Sequence, residues 1–460
     1  MKEIRIVLSE GESRMGSLTK KASLILLACM LLLAACSGGG SNKTSSSTSN
    51  ESGNNGSQGQ QSTASNNSAE TIQLEFWTIN LKEGYSEYIE SKIADYENSH
   101  PGIKINWVDV PDFDQTDVKL LAAISGGNVP DVVNLTPFMI PKFVRSGALT
   151  AIEDIDPGVK DRFVEAFWDA GVVGGKAYGI PFYGSVPGVF INSRLFEAAG
   201  LDPNKPPTTW EEVKAYSEQI HAATGVAGNM QTIDNFADSG NPIDILARRG
   251  VPILNEDGTK AAFNTPEGAA VLGEFAEMYQ SGVMHPDSIT GNMMDAAARF
   301  SEEKVAMIFP GPWMLRWLRE NTAPETFRNF RVYPGIIGTD GKLNSFLQTF
   351  VIPAKSKHPK EALDFAVYFS GTVIDLIKRA PVAPGITELL DDPYFTEGPE
   401  ELKIIRDGLP MAKFYWPLVP GLTEMIEALR VEFQEAALGR KTPQQALDDA
   451  AARWNEILAE

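Results

Sequence analysis

The sequence predicts an α/β protein built from two lobes. The chain has 460 residues, of which 43% are hydrophobic, and at roughly 100–200 residues per domain a body of this size is expected to form two lobes. Strand-like and helix-like patterns alternate from residue 71 onward, and this alternation is typical of α/β architecture. The segment before it, residues 37–70, is rich in Ser, Gly and Asn and has the composition of a linker.

A βαβ unit opens the predicted body. Ile72, Leu74 and Phe76 alternate with polar residues as in a strand, residues 84–99 carry apolar side chains at helical spacing, and "IKINWVDV" alternates again. The two strands are therefore expected to be parallel, with a right-handed crossover between them. A helix near residues 115–125 and a buried strand, "PDVVNL", are predicted to follow.

Later helices have recognisable N-termini. Thr208 and Thr209 each precede a glutamate by three residues, which is the capping-box pattern. Thr265 and Thr442 each precede a proline, and proline suits the first turn of a helix. The sequence therefore predicts helices that begin close to these threonines.

Charge and cysteine content exclude several classes of function. The formal net charge is −20, whereas binding to nucleic acid needs clustered Lys and Arg, so no nucleic-acid partner is expected. The two cysteines, Cys29 and Cys36, both lie in the N-terminal apolar segment, which leaves the body without a disulfide framework or a cysteine nucleophile. The four histidines show no metal-ligand spacing. We therefore expect neither a metal nor another cofactor.

The N-terminal segment resembles a bacterial lipoprotein signal. Two lysines precede an apolar run from Ala22 to Ala35, which is shorter than the ~20 residues of a membrane-spanning helix and fits a signal peptide. The run ends in "LAAC", which resembles a lipobox and implies cleavage before Cys36 and lipidation of its thiol. An ordinary signal peptide with an incidental cysteine is the alternative.

Two segments are therefore expected before the folded body. Residues 1–35 form the signal peptide, and because residues 1–14 contain acids that such a segment avoids, we expect translation to start at Met15. Residues 36–70 begin with the lipidated cysteine and continue as a flexible linker, which is too polar to bury a core. The expected location is the extracellular face of the bacterial cell membrane, with the protein held there by its lipid.

The body resembles the extracellular solute-binding proteins of ABC importers, specifically the sugar-binding family that includes the maltodextrin-binding proteins. The similarity extends over nearly all of residues 71–460. Five stretches carry it, in the family's order: "ISGGNVPDVVNL", "GGKAYGIPFYGSVPGVFINSRLFEAAGLDPNKPPTTWEEV", "EEKVAMIFPGPWMLRWL", "FVIPAKSKHPKEALDFAVYFSG" and "EALRVEFQEAALGRKTPQQALDDAAARWNEIL".

The resemblance implies two α/β lobes that are joined by crossing strands and hold a solute in the cleft between them. It places residues 71–182 and 348–385 in the first lobe, and residues 186–345 and 395–460 in the second. The implied function is capture of a carbohydrate, expected to be an oligosaccharide, by closure of a hinge. The closed form would deliver it to the transmembrane subunits of an ABC permease, which works with a cytoplasmic ATPase. The resemblance also implies a monomer without enzymatic activity.

A sugar cleft needs aromatic faces and a few polar side chains that bind hydroxyl groups. Such groups are expected at the carboxyl ends of strands, where α/β sheets place ligands, and along the crossing strands. Trp313 in "GPW" resembles the family's stacking tryptophan, and the loop acids of "PDFDQTD" resemble an acidic sugar contact. The predicted ligand-binding residues are Trp77, Asn80, Asp112, Asp114, Thr136, Tyr183, Ser185, Trp313, Gln348, Arg379, Tyr415 and Trp416.

Several of these candidates have a plain structural alternative. Trp77 suits core packing as well as a site, and the two loop aspartates suit a solvated loop. Arg379 would matter for a ligand with a carboxylate or phosphate, which arginine binds in a bidentate manner, and otherwise suits an ion pair. Tyr415 and Trp416 stand in an irregular, proline-flanked stretch that is unusual for a core.

Other functions also remain open on the sequence. A secreted glycosidase needs two carboxylates that flank the scissile bond, and the chain has acids enough to supply them, although no catalytic motif stands out. The same scaffold would also suit a glycerol phosphodiester or a peptide as its ligand. The resemblance favours the carbohydrate-binding lipoprotein.

Overall fold

The computed structural model describes most of the chain from residue 71 onward. The described ranges are residues 71–110, 116–233 and 241–459. They belong to one compact unit that spans residues 68–460. Within these ranges, no helix is both long and apolar enough to cross a membrane. The predicted signal peptide, the linker with Cys36, and the candidates Asp112 and Asp114 lie outside the described residues.

Short strands and helices alternate through these ranges. The strands are β1 (Ile72–Ile79), β2 (Ile103–Val110), β3 (Val132–Leu135), β4 (Val172–Val173), β5 (Lys176–Ala177), β6 (Ile180–Ser185), β7 (Gly188–Asn192), β8 (Met307–Ile308), β9 (Phe330–Pro334), β10 (Leu343–Asn344), β11 (Phe346–Val351), β12 (Ala383–Pro384) and β13 (Ala412–Lys413). The α-helices are α1 (Lys82–Ser99), α2 (Thr116–Gly126), α3 (Ile140–Arg145), α4 (Glu165–Asp169), α5 (Ser193–Ala198), α6 (Trp210–Thr224), α7 (Pro242–Ala247), α8 (Pro266–Gln280), α9 (Met293–Ser301), α10 (Met314–Asn321), α11 (Pro324–Phe327), α12 (Pro359–Ser370), α13 (Ile374–Ile377), α14 (Pro393–Glu397), α15 (Glu400–Gly408), α16 (Leu422–Ala437) and α17 (Pro443–Ala459).

A six-stranded mixed sheet, which we call the large sheet, has the strand order β12-β6-β11-β3-β1-β2. β1 runs parallel to both β2 and β3, which confirms the predicted βαβ unit. α1 begins at Lys82, two residues before the predicted start at residue 84. The reason is the Asp109 carboxylate, which accepts hydrogen bonds from the backbone N–H groups of Leu81 and Lys82 and so stabilises an earlier first turn.

A three-stranded antiparallel sheet, the small sheet, has the order β8-β7-β9. The chain passes from the large sheet to the small sheet between Ser185 and Gly188, where β6 ends and β7 begins. It returns to the large sheet at β11, and β10, just before it, pairs in parallel with β13. The segments between the two sheets therefore come from three separate parts of the sequence.

Two large apolar clusters hold these layers together. In one, the Phe76 ring lies 5.1 Å from the rings of Phe365 and Phe369, on the face of the large sheet that α12 covers. Phe395 and Leu402, from the segment after β12, belong to this same cluster. In the other, α8, α16 and α17 pack around Trp454, whose Nε1 donates to the Met425 carbonyl at 2.6 Å.

The predicted helix starts are confirmed with one adjustment. Thr209 caps α6 through a complete capping box with Glu212, whereas Thr208 only donates to the same carboxylate. Thr265 caps α8, and the Thr442 hydroxyl accepts from the Gln445 N–H at the start of α17. These caps satisfy N–H groups that a helix leaves without partners in its first turn.

Candidate functional site

A cavity of about 450 Å³, the main cavity, is lined by segments from the whole length of the described chain. Its walls come from the ends of β1 and β3, from the strands β6 and β11, and from the loops that precede α10 and α16. Six predicted site residues line it, and they are Asn80, Thr136, Tyr183, Trp313, Gln348 and Trp416. The fold therefore brings together candidates that are more than 300 positions apart in the sequence.

Asn80 and Thr136 follow β1 and β3, at the carboxyl ends of two adjacent parallel strands. Asn80 has a φ of 50°, in the left-handed region that asparagine tolerates better than most residues, and this turn leads the chain from β1 into α1. The Thr136 side chain is only 1% exposed, and its hydroxyl has no hydrogen-bond partner in the protein. A buried hydroxyl without a hydrogen-bond partner is costly. The Thr136 hydroxyl is therefore available to form a hydrogen bond with a ligand.

Tyr183 and Gln348 stand opposite each other where β6 pairs with β11. The register of that pair shifts between Gln348 and Thr349, and such a bulge re-aims the neighbouring side chains. The Asn134 Nδ2 donates to Gln348 Oε1 at 2.8 Å. Because this bond occupies the amide oxygen, it fixes the orientation of the amide and leaves its nitrogen as the group that can donate to a ligand.

Trp313 precedes the first residue of α10, and the glycine two positions before it makes room for its ring. A Cβ added at Gly311 would lie 2.7 Å from Trp313 Cδ1, closer than carbon atoms approach. The indole, itself partly buried, packs against buried residues of two apolar clusters while it lines the main cavity. The "GPW" stretch thus fixes an aromatic face at the cavity wall.

Trp416 lines the cavity from another direction and is fixed by a buried carboxylate. Its Nε1 donates to Asp244 Oδ1 at 3.0 Å, and its ring lies 4.8 Å from that of Phe138. The other carboxylate oxygen of Asp244 accepts from Asn344 Nδ2 at 2.9 Å. Asp244 is fully buried, so one side chain behind the wall positions two lining residues that come from different segments.

The described lining of the main cavity is aromatic, aliphatic and polar, without a charged side chain. Asn80, Thr136, Asn344, Ser345 and Gln348 supply the polar groups. The cavity is therefore a place for an uncharged ligand that offers both hydroxyl or carbonyl groups and apolar surface.

Charged side chains lie close to one lining residue, Tyr85. Tyr85 and Arg316 form a side-chain hydrogen bond; burial raises the pKa of the phenol, and the nearby Arg316 and Arg379 guanidiniums partly offset that rise. Arg316 also donates to Glu320 at 3.0 Å, and Arg379 forms an ion pair with Glu87 at 3.0 Å. These cations are therefore engaged with carboxylates.

Four described candidates do not line the main cavity. Trp77 is 6% exposed and packs with Val110 and Leu120, and its Nε1 donates to Glu75 at 2.6 Å. Ser185 is buried, with its hydroxyl directed to the Val186 carbonyl at 3.4 Å. Arg379 forms the ion pair described above. For Trp77 and Arg379 the structure thus shows core packing and an ion pair, the alternatives that the sequence left open.

Tyr415, the fourth, faces a different cavity of about 360 Å³, which we call the Tyr415 cavity. Trp416 lines the main cavity, Lys413 and Tyr415 line the Tyr415 cavity, and Phe414 lines both. The Tyr415 hydroxyl donates to Asp340 Oδ1 at 2.6 Å, and burial together with this carboxylate raises the pKa of Tyr415.

The sequence did not point to several residues of the main cavity. Phe138, Met293, Phe346 and Phe414 line it, but apolar residues of this kind are equally common in cores. Asp244 lies in "NPIDILARRG", where nothing distinguishes it from an exposed helix acid. Pro417 directly follows Trp416, and this local signal marked Tyr415 and Trp416 together without distinguishing them.

Three or more His, Cys, Asp or Glu side chains do not come together as a metal site anywhere in residues 71–110, 116–233 or 241–459.

Comparison with known proteins identifies the family. The family model described as bacterial extracellular solute-binding protein matches residues 79–372. The chain belongs to this family. A solute-binding protein of this kind serves an ABC transporter, which agrees with the resemblance seen in the sequence.

Individual relatives span most of this solute-binding protein. A protein of Brucella abortus (strain 2308) that is named as a binding protein is 27% identical over 407 residues, which cover 85% of this chain and 95% of the relative. The sn-glycerol-3-phosphate-binding periplasmic protein of Salmonella typhimurium (strain LT2) is 24% identical over 422 residues, which cover 84% of this chain and 92% of that protein.

A solved structure shows the fold. The crystal structure of a protein from Synechococcus sp. MITs9220, assigned as an oligosaccharide periplasmic-binding protein, matches with a TM-score of 0.76 and 27% identity, and the match covers 84% of this chain and 99% of that one. The fold is therefore the two-lobed α/β fold of periplasmic binding proteins, as predicted. The exact lobe boundaries stay a prediction.

Proposed function

We propose that this solute-binding protein captures a neutral carbohydrate, expected to be an oligosaccharide, in the main cavity and delivers it to an ABC permease. The observation that supports this most is the composition of the described lining: aromatic faces stand beside neutral hydrogen-bonding groups, without a charged side chain. A sugar ring offers an apolar C–H face to the aromatic groups and hydroxyls to the polar ones. Few other solutes combine these two surfaces within one ring.

The polar groups suit hydroxyls in particular. The Thr136 hydroxyl, which lacks a protein partner, can accept from a sugar hydroxyl or donate to it. The Gln348 amide, oriented by Asn134, offers a donor. Trp313 and Trp416 supply aromatic surface that is already fixed by its surroundings, and such preorganisation lowers the entropic cost of binding.

The size of the cavity agrees with a small saccharide. Its volume of about 450 Å³ lies within the usual range of about 300–1,000 Å³ for ligand pockets.

The alternatives are less well supported. The Salmonella relative makes a glycerol phosphodiester worth considering, and such a ligand needs a cation at the site. The described lining of the main cavity has no cation, and Arg379 is paired with Glu87. A glycosidase needs two carboxylates at the bond, and no Asp or Glu is among the described lining residues. Asp244 lies behind the wall, bonded to Trp416 and Asn344.

Closure of the lobes is part of the same proposal. With the predicted boundaries, Tyr85 belongs to the first lobe and Arg316 to the second, so their hydrogen bond would bridge the cleft. The ligand would likewise contact both lobes, and only such a ligand can shift the population toward the closed form. The closed monomer would then dock on the permease.

A thermal-shift screen tests the ligand class, because a ligand that binds the native state raises the melting temperature. The panel contains neutral mono- and oligosaccharides, acidic sugars, glycerol phosphodiesters and peptides. We expect the largest increase with a neutral saccharide. A response to glycerol phosphodiesters or peptides, with none to neutral sugars, would overturn the proposal, and release of reducing ends during prolonged incubation would reveal a glycosidase.

The anchor is tested separately. We propose that Cys36 carries the lipid that holds the protein on the extracellular face of the bacterial membrane, since two acyl chains anchor far more firmly than one. Cys36→Ala should release the protein from the membrane fraction and leave sugar binding unchanged. Full retention of the variant on membranes would contradict the anchor.

A further inference from the structure

A cavity of about 490 Å³ shares none of its lining residues with the main cavity. We call it the charged cavity, because the side chains of Glu165, Lys342 and Arg406 line it. Much of the remaining lining is apolar, and it includes Val164, Leu390, Phe395 and Leu409. The charged cavity is therefore amphipathic, with charged and apolar surface side by side in a cavity that is open to solvent.

The lining of the charged cavity contains two cationic side chains and one carboxylate. Among the described residues, neither Lys342 nor Arg406 forms an ion pair, and Glu165 forms none either. The local excess of positive charge contrasts with the net charge of −20 for the whole chain. Glu165 is exposed and Lys342 and Arg406 are partly exposed, so water and salt screen part of the attraction between an oxyanion and the two cations.

Arg406 is already oriented for such a ligand. One of its terminal nitrogens donates to the Phe395 carbonyl at 2.6 Å, and Phe395 is 2% exposed, so the guanidinium is held against a rigid part of the core. A guanidinium has five N–H donors, and those not used by Phe395 remain for an oxyanion, which arginine binds in a bidentate manner.

The walls come from three distant parts of the chain. Val164, whose N–H donates to the Gly385 carbonyl at 3.0 Å, and Glu165 lie at the start of α4. Lys342 precedes β10, and Leu409 lies shortly before β13. A ligand here would therefore contact segments that the sequence assigns to both lobes.

We propose that the charged cavity binds a small organic anion, in which a carboxylate or a phosphate monoester is joined to an apolar group. The oxyanion binds Arg406 and Lys342, and the apolar group packs against Val164, Leu390 and Leu409. Glu165 opposes the anion and so weakens binding of highly charged ligands. This site does not depend on the nature of the solute in the main cavity.

Calorimetric titration of the full-length protein with phenyl phosphate, benzoate, inorganic phosphate and phenol tests the proposal. Phenyl phosphate and benzoate represent the two oxyanion classes with the same apolar group, and phenol is the neutral control. We expect at least one of the first two to bind more tightly than inorganic phosphate, and phenol not to bind. Affinity should fall as ionic strength rises.

Variants that are expected to change the anion affinity in opposite directions test whether the anion binds in the charged cavity. Arg406→Ala should weaken its binding about tenfold or more, since a hydrogen bond to a charged group is lost, and Lys342→Ala provides a second test should Arg406→Ala fold poorly. Glu165→Gln should strengthen binding. Arg453→Ala, which removes an exposed arginine paired with Glu456 on α17, is the matched control and should leave binding unchanged.

Three results would overturn the proposal. The first is equal affinity for phenol and phenyl phosphate, which would indicate a merely apolar pocket. The second is unchanged or weaker binding in Glu165→Gln. The third is loss of anion binding in Trp416→Ala, which would assign the anion to the main cavity. Because none of these results concerns sugars, the failure of this proposal and that of the carbohydrate proposal are distinguishable.

Discussion

The main cavity and the charged cavity have nearly the same volume, about 450 and about 490 Å³, but opposite chemistry. The described walls of the main cavity join aromatic rings to neutral polar groups. The charged cavity joins aliphatic side chains to Lys342, Arg406 and Glu165. The comparison shows that the volume of a cavity alone does not indicate its ligand. The charge and the aromatic content of the lining side chains decide which solute binds favourably.

The largest effect is expected when the aromatic wall of the main cavity is disrupted. Trp416→Ala should weaken binding of the best sugar from the screen about 100-fold, since it removes aromatic contact area at the centre of the site. Calorimetry with that sugar measures the change, and phenyl phosphate should bind as in the wild type. Trp416→Phe, which keeps a ring but not the N–H donated to Asp244, should fall between the two. Equal affinity of Trp416→Ala and wild type for the sugar would remove Trp416 from the site.

The next test removes the carboxylate behind that wall. Asp244→Asn keeps the size of the side chain, but its amide nitrogen faces a donor, either Trp416 Nε1 or Asn344 Nδ2. We expect about tenfold weaker sugar binding, the order of one hydrogen bond to a charged group. A purely structural role would lower the melting temperature without changing the dissociation constant measured well below it, and that outcome would contradict a positioning role.

A third test gives effects of opposite sign on stability and on binding. Thr136→Val removes the buried hydroxyl that has no protein partner, so the free energy of unfolding without ligand should rise by about 1 kcal/mol. Sugar binding should weaken about two- to tenfold, since one neutral hydrogen bond is lost. Urea denaturation and calorimetry measure the two quantities. Lower stability together with unchanged affinity would show that the hydroxyl does not await a ligand.

The smallest expected effect concerns the Tyr415 cavity. A change there should alter stability but not ligand binding in the main cavity or the charged cavity. Partial burial alone would raise the pKa of Asp340, but hydrogen bonds from Lys413 and Tyr415 lower it below its usual value of 3.8. The carboxylate therefore stabilises the fold above that value, and the contribution is lost as the pH falls through the lower pKa of the folded state. Because the group is partly exposed, we expect it to be worth at most about 1 kcal/mol.

Denaturation of Asp340→Asn and wild type at several pH values checks this expectation. The difference in their free energy of unfolding should be largest near neutral pH and should shrink as the pH falls from about 5 to about 3. Sugar and phenyl phosphate affinities should be unchanged in the variant. A difference that grows on acidification would mean that the carboxylate is not stabilised by its partners.

Much of the fold was predictable because local patterns and packing agree. The alternation of Ile72, Leu74 and Phe76 fixed one strand, and the right-handed βαβ rule then gave its parallel partner. The threonine caps were readable for the same reason, since capping uses side chains within three residues. Placement of Asn80 and Thr136 at one cavity followed from the rule that parallel strands end at the same edge of a sheet.

The rest of the candidate site could not be predicted, because it depends on the direction in which each side chain points, and the local sequence does not reveal that direction. Trp77 lies only three residues before Asn80, but its side chain belongs to the face of β1 that packs with Val110 and Leu120. Tyr415 and Trp416 are neighbours in the sequence, but their side chains line different cavities. The Asp244 carboxylate bonds to residues 100 and 172 positions away along the chain, and such contacts leave no mark in a local pattern.

The strand order of the large sheet has a consequence for the newly made chain. β12, β6 and β11 stand side by side although they are separated by up to 200 positions in the sequence. The ribosome must therefore release Pro384 before the sheet can be completed, and sheets with such distant pairings form slowly. Until then β6 lacks its neighbour β12 on one side, so a chain that we expect to be exported reaches its complete sheet only late in synthesis.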